Sequence, residues 1–217
     1  MMRCSIPVIL LCLSVGSASI APATAGVPLE FFAHPSYAAG QPVSVYTLPD
    51  GSGHPLSSCF SLGGGRIDAT IELTMMNGLG QILTQYPAED IWLEAHGPND
   101  LVLCAQGAIV DGPTDALGRT SFSGPFRGGG ALAAIHGQTE FFLVSTAGDY
   151  CADWIYVPIS VNSPDVDGNL VVNLSDVVLF AEDFYGAYDY RSDFHWDGMI
   201  NLSDLVLLVQ GFGAACP

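Results

Sequence analysis

Asp165, Asp167, Asn169, Asn173 and Asp176 occupy the first, third, fifth, ninth and twelfth places of a twelve-residue segment, DVDGNLVVNLSD. The segment returns 28 residues later as DFHWDGMINLSD. There Asp193, Asp197, Asn201 and Asp204 fill the first, fifth, ninth and twelfth places, and His195 fills the third. Side-chain oxygens at alternate positions of a tightly curved loop point inward together. That suits a hard cation taking about six to eight oxygen ligands at about 2.3–2.6 Å, and calcium fits. Val171 and Met199, at the seventh place, offer backbone carbonyls, which leaves their side chains free to be apolar. Asn173 is suited to holding a bridging water. Asp176 closes the shell from the first turn of a helix, whose N-terminus favours a carboxylate. Val172 and Ile200, at the eighth place, are expected to pair across the two loops in a short β-bridge.

A helical pattern follows each loop. Leu174, Val177, Val178, Ala181 and Phe184 recur at helical spacing, and Leu202, Leu205, Val206, Val209 and Phe212 repeat the same phase. Gly186 and Gly213 are placed to end the two helices. Matched apolar stripes predict that the helices pack on each other. The resulting domain, residues 161–217, is small enough for bound metal to matter to its stability. Asn162-Ser163-Pro164 marks its start, since proline suits the end of a strand.

Residues 26–160 read as β-structure with no helix. Ile67 to Met75 alternates apolar and polar, the strongest strand pattern in the chain, and Asn77-Gly78 then supplies a turn. Val43 to Leu48, Asp90 to Ala95, Leu101 to Cys104, Arg119 to Ser123, Glu140 to Ser145 and Trp154 to Ser160 are further strand candidates. Gly128-Gly129-Gly130 reads as a loop, being too flexible for an element interior. Short strands at this spacing predict a two-sheet sandwich. The stretch Thr114-Asp115-Ala116-Leu117-Gly118-Arg119-Thr120-Ser121-Phe122 resembles the Thr-Asp-x-x-Gly-x-x-x-Phe turn of bacterial Ig-like domains of the invasin type. That resemblance implies a spacer, stalk or adhesive module.

The duplicated loops, each followed by one helix, resemble the dockerin type I family over residues 163–213. The resemblance implies an EF-hand-like fold without the entering helix and two calcium ions. Asp165, Asp167, Asn169, Asn173 and Asp176 would hold one, and Asp193, Asp197, Asn201 and Asp204 the other. It also implies docking to a cohesin-like module on a surface or scaffold protein of polysaccharide-degrading bacteria, through Leu174-Ser175 and Leu202-Ser203. The pattern departs from the family in two places. Leu170 stands where the family has a glycine, and His195 replaces an oxygen ligand. A neutral imidazole is a poor partner for calcium, so the second site is expected to be the weaker, or to be filled through water.

A short basic start, an apolar run from Ile6 to Val15 and small residues at Ala23-Thr24-Ala25 form the pattern of a secretory signal peptide over residues 1–25. The chain is expected to be secreted or held at the cell surface. It has no lysine and a formal net charge of −17, a balance that opposes contact with nucleic acid or an anionic membrane surface. No segment beyond the signal is long and apolar enough to cross a bilayer. Cys59, Cys104, Cys151 and Cys216 are the disulfide candidates of an exported chain, with Cys104–Cys151 favoured because both sit in strand-like stretches.

No catalytic motif emerges. The histidines are scattered, and Glu89-Asp90 and Asp149/Asp153 are carboxylate pairs without an evident cleft. The expectation is a mainly-β, non-catalytic protein: an Ig-like sandwich (26–160) followed by a dockerin-like calcium module. The alternative is an accessory of polysaccharide breakdown, binding glycan or hydrolysing it weakly, with Trp92, Trp154, Tyr150 and Tyr156 as a stacking platform.

Overall fold

The alternation that begins at Ile71 is realised in full. Ile71, Leu73 and Met75 are buried while Glu72 faces solvent, as period-two pleating requires when one face covers a core. The expected strand is broken before this point, because Asp68 accepts the Thr70 N–H in a local turn. A computed structural model describes residues 29–35, 42–77, 80–96, 101–133, 141–146, 156–157 and 159–217. Among these the chain is mainly β. Its strands are β1 (Leu29–Pro35), β2 (Val43–Tyr46), β3 (Cys59–Ser61), β4 (Arg66–Ile67), β5 (Ile71–Asn77), β6 (Ile91–His96), β7 (Val102–Leu103), β8 (Arg119–Phe122), β9 (Gly128–Gly129), β10 (Ala131–Leu132), β11 (Phe141–Thr146), β12 (Tyr156–Val157) and β13 (Ser160–Asn162). Two helices follow, α1 (Leu174–Tyr185) and α2 (Leu202–Gly211).

The strands form sheets of order β1-β5-β8, β10-β13-β2-β3-β4, β12-β11-β6 and β7-β9. Pairing is antiparallel except between β13 and β2, where Val161 lies opposite Val45. One apolar core draws Val43, Val45, Ile71, Leu73, Ile91, Leu93, Phe122, Val157 and Val161 from the three larger sheets. The Thr114–Phe122 stretch is a tight turn. The Asp115 carboxylate accepts the Leu117 and Arg119 N–H groups, Gly118 takes φ +70°, and Phe122 enters the core. Gly128–Gly129, expected as a loop, is instead a buried strand paired with β7. No helix of the described residues is long and apolar enough to cross a membrane.

A second core joins the strands to the C-terminal part. Tyr46, Leu48 and Phe60 pack with Val166, Val172, Phe180, Phe194, Trp196 and Leu208. The Tyr46 hydroxyl donates to the Leu207 carbonyl, and the Asn162 amide to the Tyr190 carbonyl. The helices therefore do not simply bury their stripes against each other. Phe180, Leu208 and Gly211 face inward, while Leu174, Val178, Leu202, Val206 and Val209 remain exposed.

Among the described residues a disulfide joins Cys104 to Cys216, so Cys104 is not paired with Cys151. Residues 213–216 run beside the first loop, with Val171 bridged to Ala215, and this delivers the last cysteine to the end of β7. Cys59 is a buried free thiol, pushed up to about 12 by burial. Cys151, Tyr150, Trp154, Asp149, Asp153 and residues 1–25 lie outside the described residues.

Candidate metal centre

Each loop is built around two acids that accept backbone N–H groups in the same pattern. In the first, Asp165 accepts from Asn169 and Leu170, and Asp176 accepts from Asp167 and Asn173. In the second, Asp193 accepts from Asp197 and Gly198, and Asp204 from His195 and Asn201. The ninth-place residues, Asn173 and Asn201, are N-caps: their side chains accept from Ser175 and Ser203, and the twelfth-place acids complete capping boxes. The bend needs left-handed residues at the fourth and sixth places. Gly168 (φ +69°) and Leu170 (+68°) supply them in one loop, Trp196 (+55°) and Gly198 (+87°) in the other. The glycine has changed places between the copies, so each loop keeps one non-glycine in a region that L-residues disfavour.

The first loop brings Asp165, Asp167 and Asp176 together, with one carboxylate oxygen from each lying within 4.8 Å of the others. Two oxygens on opposite sides of a calcium ion at about 2.4 Å would be separated by about that distance. Asp165 and Asp176 are fully buried and Asp167 is exposed. Burial pushes the Asp165 carboxyl up to about 6, with Asp176 and Asp167 adding like-charge repulsion against the Leu170 N–H. Burial raises Asp176, Asp193 and Asp204 as well. Among the described residues, Arg191 is the one arginine after residue 161, and it is bound to Asp183 on α1. An all-oxygen donor set with two of its three carboxylates buried, and with no arginine among the charges acting on Asp165 or Asp176, fits a divalent hard cation. Asn169 caps Asp167 through its amide, and the Val171 carbonyl accepts from Asn173.

The second loop is organised differently around its third place. His195 packs its ring on Phe60, with centroids 4.9 Å apart, and against Gly64, where a Cβ would clash with the imidazole Cε1. Its Nδ1 is 3.5 Å from Asp197. The Gly63 and Gly64 N–H groups both donate to the Trp196 carbonyl. His195 thus serves the contact with the β3–β4 hairpin. Asp193, Asp197 and Asp204 do not converge as the first triad does. Asn201 donates to Asp197 and to the Met199 carbonyl, and the Tyr188 hydroxyl donates to Asp193.

Val172 does not pair with Ile200 through its backbone. It exchanges hydrogen bonds with the tail, accepting from Gly213 and donating to Ala214. Leu174, Ser175, Leu202 and Ser203 are all exposed at the helix entries. Three neighbours of the loops escaped sequence reasoning: Gly129, Tyr188 and the tail at 213–216. Tyr188, five residues before Asp193, has no counterpart in the repeat, and the others are distant in sequence. Of the aromatic platform, Trp92 lines a cleft of about 600 Å³ with Glu89, Leu101 and Ile109, its indole N–H bound to Glu94. No family model matches the chain, and neither a curated protein nor a solved structure matches it.

Proposed function

We propose that this chain is an exported, non-catalytic calcium-binding protein whose C-terminal loops and helices form a dockerin-like module on an Ig-like β body. The observation that carries the reading is the convergence of Asp165, Asp167 and Asp176, two of them buried, at one point of a loop whose hydrogen-bond pattern is repeated in the second copy. Calcium would be held first by Asp165, Asp167, Asn169, the Val171 carbonyl and Asp176, with Asn173 holding a water. Asp193, Asp197, the Met199 carbonyl, Asn201 and Asp204 form the weaker second site, from which the His195 ring is turned away toward Phe60. Bound calcium supplies positive charge that offsets the burial of carboxylates.

The docking part of the reading rests on the exposed apolar residues of α1 and α2, Leu174 and Leu202 foremost, beside Ser175 and Ser203. In so acidic a chain they suit a cohesin-like or other surface or scaffold protein with an apolar contact face and a basic surround. The test is calcium calorimetry on the whole chain, then calcium-dependent capture of a purified cohesin panel. Calcium binding that Asp165→Ala and Asp176→Ala abolish at the tighter step supports the proposal. A chain that takes up no calcium overturns it, and calcium binding without capture removes the docking part. The Trp92 cleft favours a second reading, glycan binding, which quenching of tryptophan fluorescence by soluble oligosaccharides would reveal.

A further inference from the structure

We infer that the first calcium loop is completed by parts of the chain outside the repeat: Gly129 positions Asp165, and the Cys104–Cys216 disulfide positions residues 170–172 through the C-terminal tail. The inference rests on the calcium reading above. Asp165 is the first-place carboxylate, and one wall of its pocket is β9. A Cβ on Gly129 would overlap the Asp165 carboxylate, and the Gly130 N–H donates to the Asp165 carbonyl at 2.6 Å. Only a residue without a side chain lets the strand approach this closely.

A second wall is the tail. Gly213 donates to the Val172 carbonyl at 2.9 Å, Val172 donates to Ala214 at 2.9 Å, and Cys216 donates to the Leu170 carbonyl at 3.3 Å. These bonds fix the backbone on both sides of Val171, whose carbonyl is a proposed ligand, and hold Leu170 in its left-handed conformation. The two walls are one assembly. β9 pairs with β7, and Cys104 follows β7 directly, its N–H on the Arg127 carbonyl and its sulfur bonded to Cys216. The second loop rests on the β3–β4 hairpin, with no disulfide to it among the described residues.

A loop held at Asp165 and again at residues 170–172 is ordered before the ion arrives, so less of the binding free energy is spent on ordering it. Groups that orient ligands in this way change metal affinity by about 10–100-fold when removed. The experiment is calcium calorimetry on the whole chain carrying Asp197→Ala, which disables the second loop. Gly129→Ala and Cys216→Ser are each added, with circular dichroism to verify folding. Gly118→Ala is the control: it strains a left-handed turn of the β body and would contact the Met75 carbonyl, away from both loops. The expected result is a loss of at least tenfold in calcium affinity for Gly129→Ala and Cys216→Ser, and a change below twofold for Gly118→Ala. Equal affinity in all variants, or an equal loss in all three, overturns the positioning role. If Gly129→Ala does not fold, Cys216→Ser decides the matter alone. Absence of calcium binding in the parent chain overturns the calcium reading itself, a distinguishable failure that takes this inference with it.

Discussion

Leu208→Ala and Val209→Ala, neighbours on α2, separate the observed helix phase from the one that the hydrophobic pattern implies. Leu208 is 1% exposed within the core shared by the strands and the helices, while Val209 is 66% exposed. Truncating leucine to alanine removes about three methylene equivalents, or about 2.4 kcal/mol of transfer free energy. The cavity left in the core that Leu208 shares with the strands raises the cost to about 3–4 kcal/mol, and the better helix propensity of alanine returns only a few tenths. For a chain of this size that corresponds to a fall of roughly 6–16 °C in Tm. Val209→Ala should cost under about 0.5 kcal/mol. Urea unfolding in saturating calcium, followed by tryptophan fluorescence and far-UV circular dichroism, reads both, because Trp196 lies in the shared core. The two probes should shift together for Leu208→Ala. A loss below about 1 kcal/mol, a larger loss for Val209→Ala, or a β transition that stays in place would refute the shared core.

The chelated protein should be more stable at pH 5 than at pH 7. Burial raises Asp165 to about 6 and lifts Asp176, Asp193 and Asp204, so the folded state keeps protons that the unfolded chain has lost. Stability therefore falls as pH rises from about 4 through about 6, by a few degrees in Tm, and millimolar calcium should reverse the order by competing with those protons. Thermal scans at both pH values check this, and a chelated chain that gains stability toward pH 7 would contradict it. His195→Ala should leave calcium stoichiometry and affinity within twofold in calorimetry while costing about 1–2 kcal/mol in urea unfolding, because the ring packs on Phe60 and Gly64 rather than on an ion. Gly64→Ala should cost at least about 2 kcal/mol by the same measurement, since it adds a side chain at φ +76° and drives it into that ring.

Local chemistry was legible in the sequence where it depended on residues within one loop. The oxygen-bearing places of DVDGNLVVNLSD, the helix starts at Leu174 and Leu202 and the alternation of Ile71 to Met75 all follow from spacing over a dozen residues or fewer. What was misread depended on distant partners. Gly129 carries the composition of a flexible loop, and its role as a strand is set by Asp165, which it must approach closely. Strand likeness pairs Cys104 with Cys151, but its partner is decided by a tail that runs beside residues 170–172. His195 occupies a ligand's place in the repeat, whereas the β3–β4 hairpin decides where its ring lies.

The helix phase shows why pattern alone misled. Successive residues on a helix are turned by about 100°, so Leu174 points about 200° away from Asp176, and Leu202 likewise from Asp204. Each twelfth-place acid accepts two loop N–H groups, and both are buried. That carboxylate fixes the rotation of its helix, and the residues four places on, Phe180 and Leu208, are carried inward with it. On α2 the stripe led by Leu202 is then turned outward, and on α1 Leu174 and Val178 are, while Val177 and Phe184 still pack against the shared core. A hydrophobic stripe would ordinarily win such a contest, because each buried aliphatic side chain is worth about 1.5–3 kcal/mol. Here four loop hydrogen bonds to charged acceptors, at about 1.5–3 kcal/mol each, together with the burial of Phe180 and Leu208, are of the same order, and turning the stripe inward would strip both carboxylates of their loop N–H partners. That rotation leaves apolar residues of both helices exposed, Leu174 and Val178 on one and Leu202, Val206 and Val209 on the other. The acid that completes the proposed ion shell thereby also sets which face of each helix meets solvent.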